Sequence, residues 1–302
     1  MANPNNKKVA VTAGLRGASW RAERMVTPFS STPFPLPTED GQGAMGVLFS
    51  RARERKVVFI MHPRELVVTH YLVPDVLDAG WACWVQGARS VGNDLRLEHE
   101  FALYDVAAGM RHLRAMGFET IVLLGNSGGA GLFAFYNQQS LCAPEKRIAK
   151  TPAGRATRFA TAQLPPADGM AFVSPHPGQG ILLMNALAPA LSGESVPFSV
   201  DPALDPFSEA NGFRMPPDSS SYCPDFIERY RAAQRQRVAR IDAIARQRVE
   251  QRQSARERVK SGGSRADKAL ASHGPIFQVW RTDADLRCWD TSLDPSDCFV
   301  GS

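Results

Sequence analysis

The chain has 302 residues, 44% of them hydrophobic and 22% charged, and a formal net charge of +5. That is long enough to bury a sizeable core and ordinary for one globular domain with an elaboration. The longest apolar runs are strand-sized, which excludes a membrane-spanning helix, and residues 1–8 carry no apolar signal segment, so a cytoplasmic protein is expected. The five cysteines, Cys83, Cys142, Cys223, Cys288 and Cys298, are scattered, with no Cys-x-x-Cys pair and no histidine at ligand spacing. Free thiols are expected, and no metal.

Residues 2–21 are polar, basic and unpatterned, which predicts a loose tail. Apolar patches at 25–29 and 44–49 are separated by a proline-rich stretch and by Glu39-Asp40-Gly41-Gln42-Gly43, and they predict an antiparallel hairpin. Residues 57–61 read as a buried strand ending in His62-Pro63-Arg64. A second central strand follows over 81–86, with a turn over 87–94. Phe101, Tyr104, Asp105, Ala108 and Leu113 have helical spacing over 100–116. Strand, helix, strand and helix joined by short glycine-containing turns mean a parallel sheet of the α/β class.

The next segment carries the chemistry. Residues 121–124 are an apolar β-type run that drops into Gly125-Asn126-Ser127-Gly128-Gly129 and then into a helix over 130–139. A serine at a tight strand-to-helix turn is held in a strained backbone with its hydroxyl pushed clear of the sheet edge. Side chains at Gly125 and Gly129 would collide with the neighbouring strand and helix. Ser127 is the candidate nucleophile, and the Gly128 N–H, at the start of the helix, can donate to a developing oxyanion. A packing turn or a phosphate-cradling loop is the alternative, the latter weakened because no lysine follows the glycines.

At these residues the chain resembles the α/β-hydrolase superfamily of serine esterases and lipases, and the resemblance runs from about residue 26 to 297. It implies a doubly wound, mostly parallel sheet with a helical cap, acyl transfer through Ser127, and no organic cofactor or metal. It also makes His62-Pro63-Arg64 similar to the His-Gly segment that supplies the second oxyanion donor. Pro63 has no N–H, so Arg64, or Glu65 after it, has to donate. The expected substrate is a small or medium-sized molecule with an ester-type acyl bond.

Beyond the elbow, residues 143–160 are basic and irregular, and 167–174 read as the next parallel strand, ending in Pro175-His176-Pro177. Ligands of open α/β sheets sit at the carboxyl ends of the strands, which makes His176 the candidate base; a turn residue hydrogen-bonded to backbone is the alternative. The resemblance implies two further strands carrying the acid and the histidine, in the order Ser, acid, His. The sequence contains neither, and after Ser127 the histidines are His176 and His273. A hydrolase incomplete at its C-terminus, weak or inactive, is therefore expected.

From residue 183 the strand pattern is lost, which divides the chain into a core over 1–182 and a cap region over 183–302. Asp225 is the expected N-cap of a long helix over 226–260 with an apolar stripe of Val238, Ile241, Ala245 and Val249. Around the stripe lie ten arginines, Arg231, Arg235, Arg237 and Arg240 among them, which carry most of the net charge. Two readings follow. The helix is a solvated lid whose stripe lies on the core, or it binds an anionic partner, nucleic acid or lipid, and Ser127 is inert. The absence of interleaved aromatics weighs against nucleic acid. Ser261-Gly262-Gly263-Ser264 reads as a flexible linker, and 274–287 as one more strand.

Overall fold

The computed structural model describes residues 28–51, 53–92, 98–152, 154–175, 178–274 and 276–293. The expected tail, most of the first apolar patch, Cys298 and His176 lie outside them. The chain divides into two compact units, Met1–Gly178 and Gln179–Ser302.

The first unit is built on strands β1 (Ser30–Pro37), β2 (Gly43–Ser50), β3 (Lys56–His62), β4 (Ala82–Gly87), β5 (Thr120–Asn126) and β6 (Gly169–Val173), with helices α1 (Val73–Asp78), α2 (His99–Ala115) and α3 (Gly128–Leu141) between them. They form one sheet in the order β1-β2-β4-β3-β5-β6. β1, β2 and β4 pair antiparallel, and β4, β3, β5 and β6 pair parallel. This is an α/β fold with a mostly parallel sheet.

Because side chains alternate across a strand, each central strand feeds two cores. Val57, Phe59, Met61, Trp84, Ile121 and Leu123 pack on one face with residues of α2 and α3. Ile60, Cys83, Val85 and Leu124 pack on the other with Val73 and Leu77 of α1. Burial on both faces explains why these strands read as continuous apolar runs.

The first strand corrects the sequence reading. The outer strand of the hairpin is the proline-rich stretch itself, and Phe29 of the first apolar patch precedes it. Pro33, Pro35 and Pro37 oppose Val47, Met45 and Gly43, so all three share one parity. On an edge strand every second amide faces away from the sheet, and prolines at that parity remove only donors that have no partner to meet. The turn is closed by the Thr38 N–H donating to the Gln42 carbonyl and the Gln42 N–H donating to Thr38 Oγ1, both at 3.0 Å.

Arg89, just beyond β4, ties this turn to α2. Its Nε donates to Asp105 Oδ1 at 2.9 Å, its Nη2 to Asp40 Oδ1 at 2.9 Å, and its backbone N–H to Asp105 Oδ2 at 2.8 Å. The Asp105 carboxylate is fully buried.

The second unit holds α4 (Gln179–Ala186), α5 (Pro224–Lys260) and α6 (Arg265–Ser272) among irregular segments. α5 caps on Cys223 with Pro224 in its first turn, so Asp225 is not the N-cap; proline has no N–H to orphan at that position, and Asp225 faces the positive end of the helix dipole. Its buried face is also not the predicted stripe. Phe226, Tyr230, Arg231, Gln234 and Arg237 are buried, whereas Val249 is exposed. Phe226 and Tyr230 form a small core with Tyr222 and Leu286. Arg237 is wholly enclosed, with Nε and Nη2 each 2.9 Å from a Glu194 oxygen, Nη1 donating to the Ala188 carbonyl at 2.6 Å and Nη2 to that of Trp280 at 2.7 Å.

Two further expectations change. Ser261-Gly262-Gly263-Ser264 is an ordered helix-to-helix turn: the Gly263 N–H donates to the Arg258 carbonyl at 2.8 Å, and Ser264 and Asp267 form a reciprocal capping box at the start of α6. The described residues of 274–287 form no strand. The carbonyls of Trp280 and Ala284 are taken by Arg237 and the Tyr230 hydroxyl of α5, and the backbone bonds of Arg281 and Ala284 to Ala188 and Ala186 do not extend into a strand. Among the described residues no helix is long and apolar enough to cross a membrane.

Removing Arg89 leaves a buried carboxylate without its cation. Arg89→Met is expected to cost about 3–5 kcal/mol in urea unfolding. A loss under about 1 kcal/mol would mean that the turn and α2 are held by something else.

Candidate functional site

The site is assembled where β3, β5 and β6 end. β5 is apolar until Asn126, and the chain then turns at Ser127 into α3. Ser127 sits at φ 53° and ψ −120°, outside the regions open to an ordinary L-residue. A backbone in such a region costs about 1–3 kcal/mol and persists only where its surroundings fix it. Here the Ser127 N–H donates to the Val173 carbonyl of β6 at 3.0 Å, and the Asn126 Nδ2 donates to the same oxygen at 3.1 Å.

The flanking glycines are required by contact. A Cβ on Gly125 would lie 2.4 Å from the Ala130 Cα, and one on Gly129 would lie 2.3 Å from the Met61 carbonyl oxygen of β3. α3 therefore starts against the end of β3, which brings the segment after β3 to the serine. The Gly128 N–H opens α3 and by that position has no acceptor within the helix.

A small cavity lies beside Ser127, lined by the polar His62, Glu65, His70 and Asn126 over Ile60, Met61 and Val67, with room for about one water. His62, the last residue of β3, accepts the N–H groups of Arg64 and Glu65 on its Nδ1, each at 3.2 Å. The Arg64 amide, expected at the oxyanion site, is thus turned toward the His62 ring and would have to exchange that acceptor for a substrate oxygen. The cause is local: Pro63 offers no N–H, so the turn closes on the side chain before it. The Ser90 hydroxyl holds the turn from the other side, donating to the Pro63 carbonyl at 2.6 Å.

His70 did not figure among the candidate residues. It is buried at 1% exposure in the loop between β3 and α1, stacked on Tyr71 with ring centroids 4.6 Å apart. Its Nδ1 accepts the Leu72 N–H at 3.3 Å. Burial lowers its pKa to about 4 despite the Asn126 side chain beside it, so the ring is neutral near pH 7. The signal available in the sequence was topological only: the chain leaving β3 has to cross the same rim as the serine. Asn126 was passed over because its role is to bond across to β6.

His176 lies outside the described residues. His273 is the exposed C-cap residue of α6 in the second unit. Among the described residues no group of His, Cys, Asp and Glu could hold a metal ion.

No family model matches the chain, and no curated protein does. Among solved structures, it is similar to the esterase Pf2001 of Pyrococcus furiosus, with 19% identity over 44% of this chain and 53% of that one and a TM-score of 0.34. It is also similar to a post-proline cleaving enzyme from Rickettsia typhi, with 11% identity over 37% and 19% and a TM-score of 0.32. For oligopeptidase B from Trypanosoma brucei the identity is 15% over 37% and 19%, with a TM-score of 0.31. The chain thus spans about half of the esterase and about a fifth of each peptidase. Likenesses this slight carry no weight, and the fold rests on its own strand order.

Two measurements check the geometry. Gly129→Ala forces a methyl group onto the Met61 carbonyl and is expected to cost about 1–3 kcal/mol, whereas Gly131→Ala, with open space around it on the same helix, is expected to be neutral or to stabilise by up to about 1 kcal/mol. His70 predicts a pH dependence. Its folded pKa lies below the value of 6.5 in the unfolded chain, so the unfolded state binds more protons between pH 6.5 and about 4. Stability from this group is complete above that window and falls as pH drops through it, by about 3 kcal/mol at the lower end. The difference between parent and His70→Gln in urea unfolding should show that slope, and parallel curves would disprove it.

Proposed function

We propose that the first unit is a serine hydrolase acting on an ester-type acyl bond of a small or medium-sized substrate, with Ser127 as nucleophile. The observation that supports it most is the backbone of Ser127, strained at φ 53° between two glycines that tolerate no side chain. A packing turn alone has no need of a serine there, while a nucleophile needs a hydroxyl lifted from the end of the sheet.

In this reading the Ser127 hydroxyl attacks the acyl carbonyl, and the Gly128 N–H receives the developing oxyanion at the N-terminus of α3. Arg64 joins it if its amide leaves the His62 ring. His176, three residues after the Val173 that fixes the elbow, takes the serine proton and returns it to the leaving group. Water then releases the acyl group by the same route in reverse.

The competing role for α5, contact with an anionic partner, loses support from the second unit. Arg231 and Arg237 are buried in that unit, and Arg240, Arg248 and Arg252 donate to its carbonyls.

The test is labelling by a fluorophosphonate together with hydrolysis of short p-nitrophenyl esters by the parent, Ser127→Ala, His176→Ala and His273→Ala. Labelling is expected in the parent and absent in Ser127→Ala. Turnover in the parent is expected to be weak, to fall to background in His176→Ala and to stay unchanged in His273→Ala. Equal labelling of the parent and Ser127→Ala would refute the assignment.

A further inference from the structure

The buried histidine beside the elbow lines the cavity and has no part in the proposed reaction. The Nδ1 lone pair of His70 is taken by the Leu72 N–H, so the proton of the neutral ring resides on Nε2. That Nε2 is sealed from solvent and closes no hydrogen bond of ordinary geometry, although the Asn126 side chain is its polar neighbour. A buried donor left open costs about 1–3 kcal/mol, unless something in the cavity accepts from it. The cavity that His70 lines has room for about one water, and Ser127, Asn126 and His62 line it too, enough polar partners to hold an oxygen.

We propose that His70 is a fixed hydrogen-bond donor, through Nε2–H, to an acceptor oxygen held beside Ser127. In the resting protein the oxygen is that of a water. In the reacting one it belongs to the substrate's acyl group or its serine adduct. The second half rests on Ser127 being the nucleophile; the first does not. His70 is not the base, because its open nitrogen already carries the proton. A neutral donor stabilises an oxygen that gains charge without itself offering a mobile proton, which suits it to the acyl oxygen or to a water awaiting attack.

The experiment combines kinetics with the ring itself. Second-order rates of fluorophosphonate labelling are measured on the full chain for the parent, His70→Gln, which keeps an N–H donor, and His70→Leu, which does not. Thermal melting reports on folding. His70→Leu is expected to label at least about tenfold more slowly, with His70→Gln recovering most of the rate. Nitrogen-15 spectra of the parent should show an Nε2–H tautomer, with that proton protected from exchange. A shift of the Nε2–H signal on phosphonylation would identify the adduct oxygen as the acceptor, and an unshifted signal a retained water.

A folded His70→Leu that labels at the parental rate overturns the substrate half of the proposal. An Nδ1–H tautomer, or an Nε2–H that exchanges as freely as that of a solvent-exposed imidazole, overturns all of it. Should His70→Leu not fold, His70→Gln and the spectra decide. If the parent does not label at all, the Ser127 reading fails, and the spectra alone judge the donor.

Discussion

The hydrogen bond from the Ser127 N–H to the Val173 carbonyl is what the candidate site depends on. It carries the pairing of β5 and β6 one residue beyond the last residue of β5, and the Asn126 amide donates to the same oxygen. Together these bonds are worth about 1–3 kcal/mol, the same size as the strain they oppose. The margin therefore comes from the opposite side, where Gly129 rests on the Met61 carbonyl and α3 seals against β3. An elbow with only one of these supports would relax into an ordinary turn and withdraw the hydroxyl. The site is thus a property of three strand ends, and the Gly-x-Ser-x-Gly segment only permits it.

That distinction explains what the sequence made legible. Strands β3, β4 and β5 were readable because central parallel strands are buried on both faces and appear as short apolar runs between glycine turns. β6, at the end of the sheet and partly exposed, was readable from its apolar run, and α2 from its helical spacing. β1 was misread because proline counts against a strand only where its missing N–H is needed. At the free edge, Pro33, Pro35 and Pro37 lose nothing. The Gly262-Gly263 turn looked like a linker because glycine marks freedom in an isolated chain and tight closure in a helix hairpin. The Ser264 to Asp267 capping box was the overlooked sign of α6.

Within the site, Ser127 was legible because its strain has a local cause, written in glycines next to it. The absence of an N–H at Pro63 was legible too, and it pointed to Arg64 as a replacement donor. What could not be read was that the ring of His62 would accept the Arg64 and Glu65 amides, since that depends on a side-chain direction fixed only when the turn closes. His70 was invisible for the same reason. Its residue type was in plain view, but its burial and its Leu72 contact exist only after the loop folds back.

Among the described residues the enclosed Arg237 and His70 meet the cost of burial in opposite ways. A guanidinium cannot shed its proton, so an interior that takes in Arg237 has to surround it with acceptors, and it does: both oxygens of Glu194 and the carbonyls of Ala188 and Trp280. Such a group has a scaffold role, and the many arginines of α5 that reach carbonyls of their own unit share it. An imidazole escapes the same cost by giving up its charge, which leaves a neutral ring with one nitrogen filled by Leu72 and one N–H open. A buried side chain with every donor satisfied has finished its work when the chain folds. One that lines a water-sized cavity next to a strained serine with its remaining donor unpaired is placed to meet an oxygen held there.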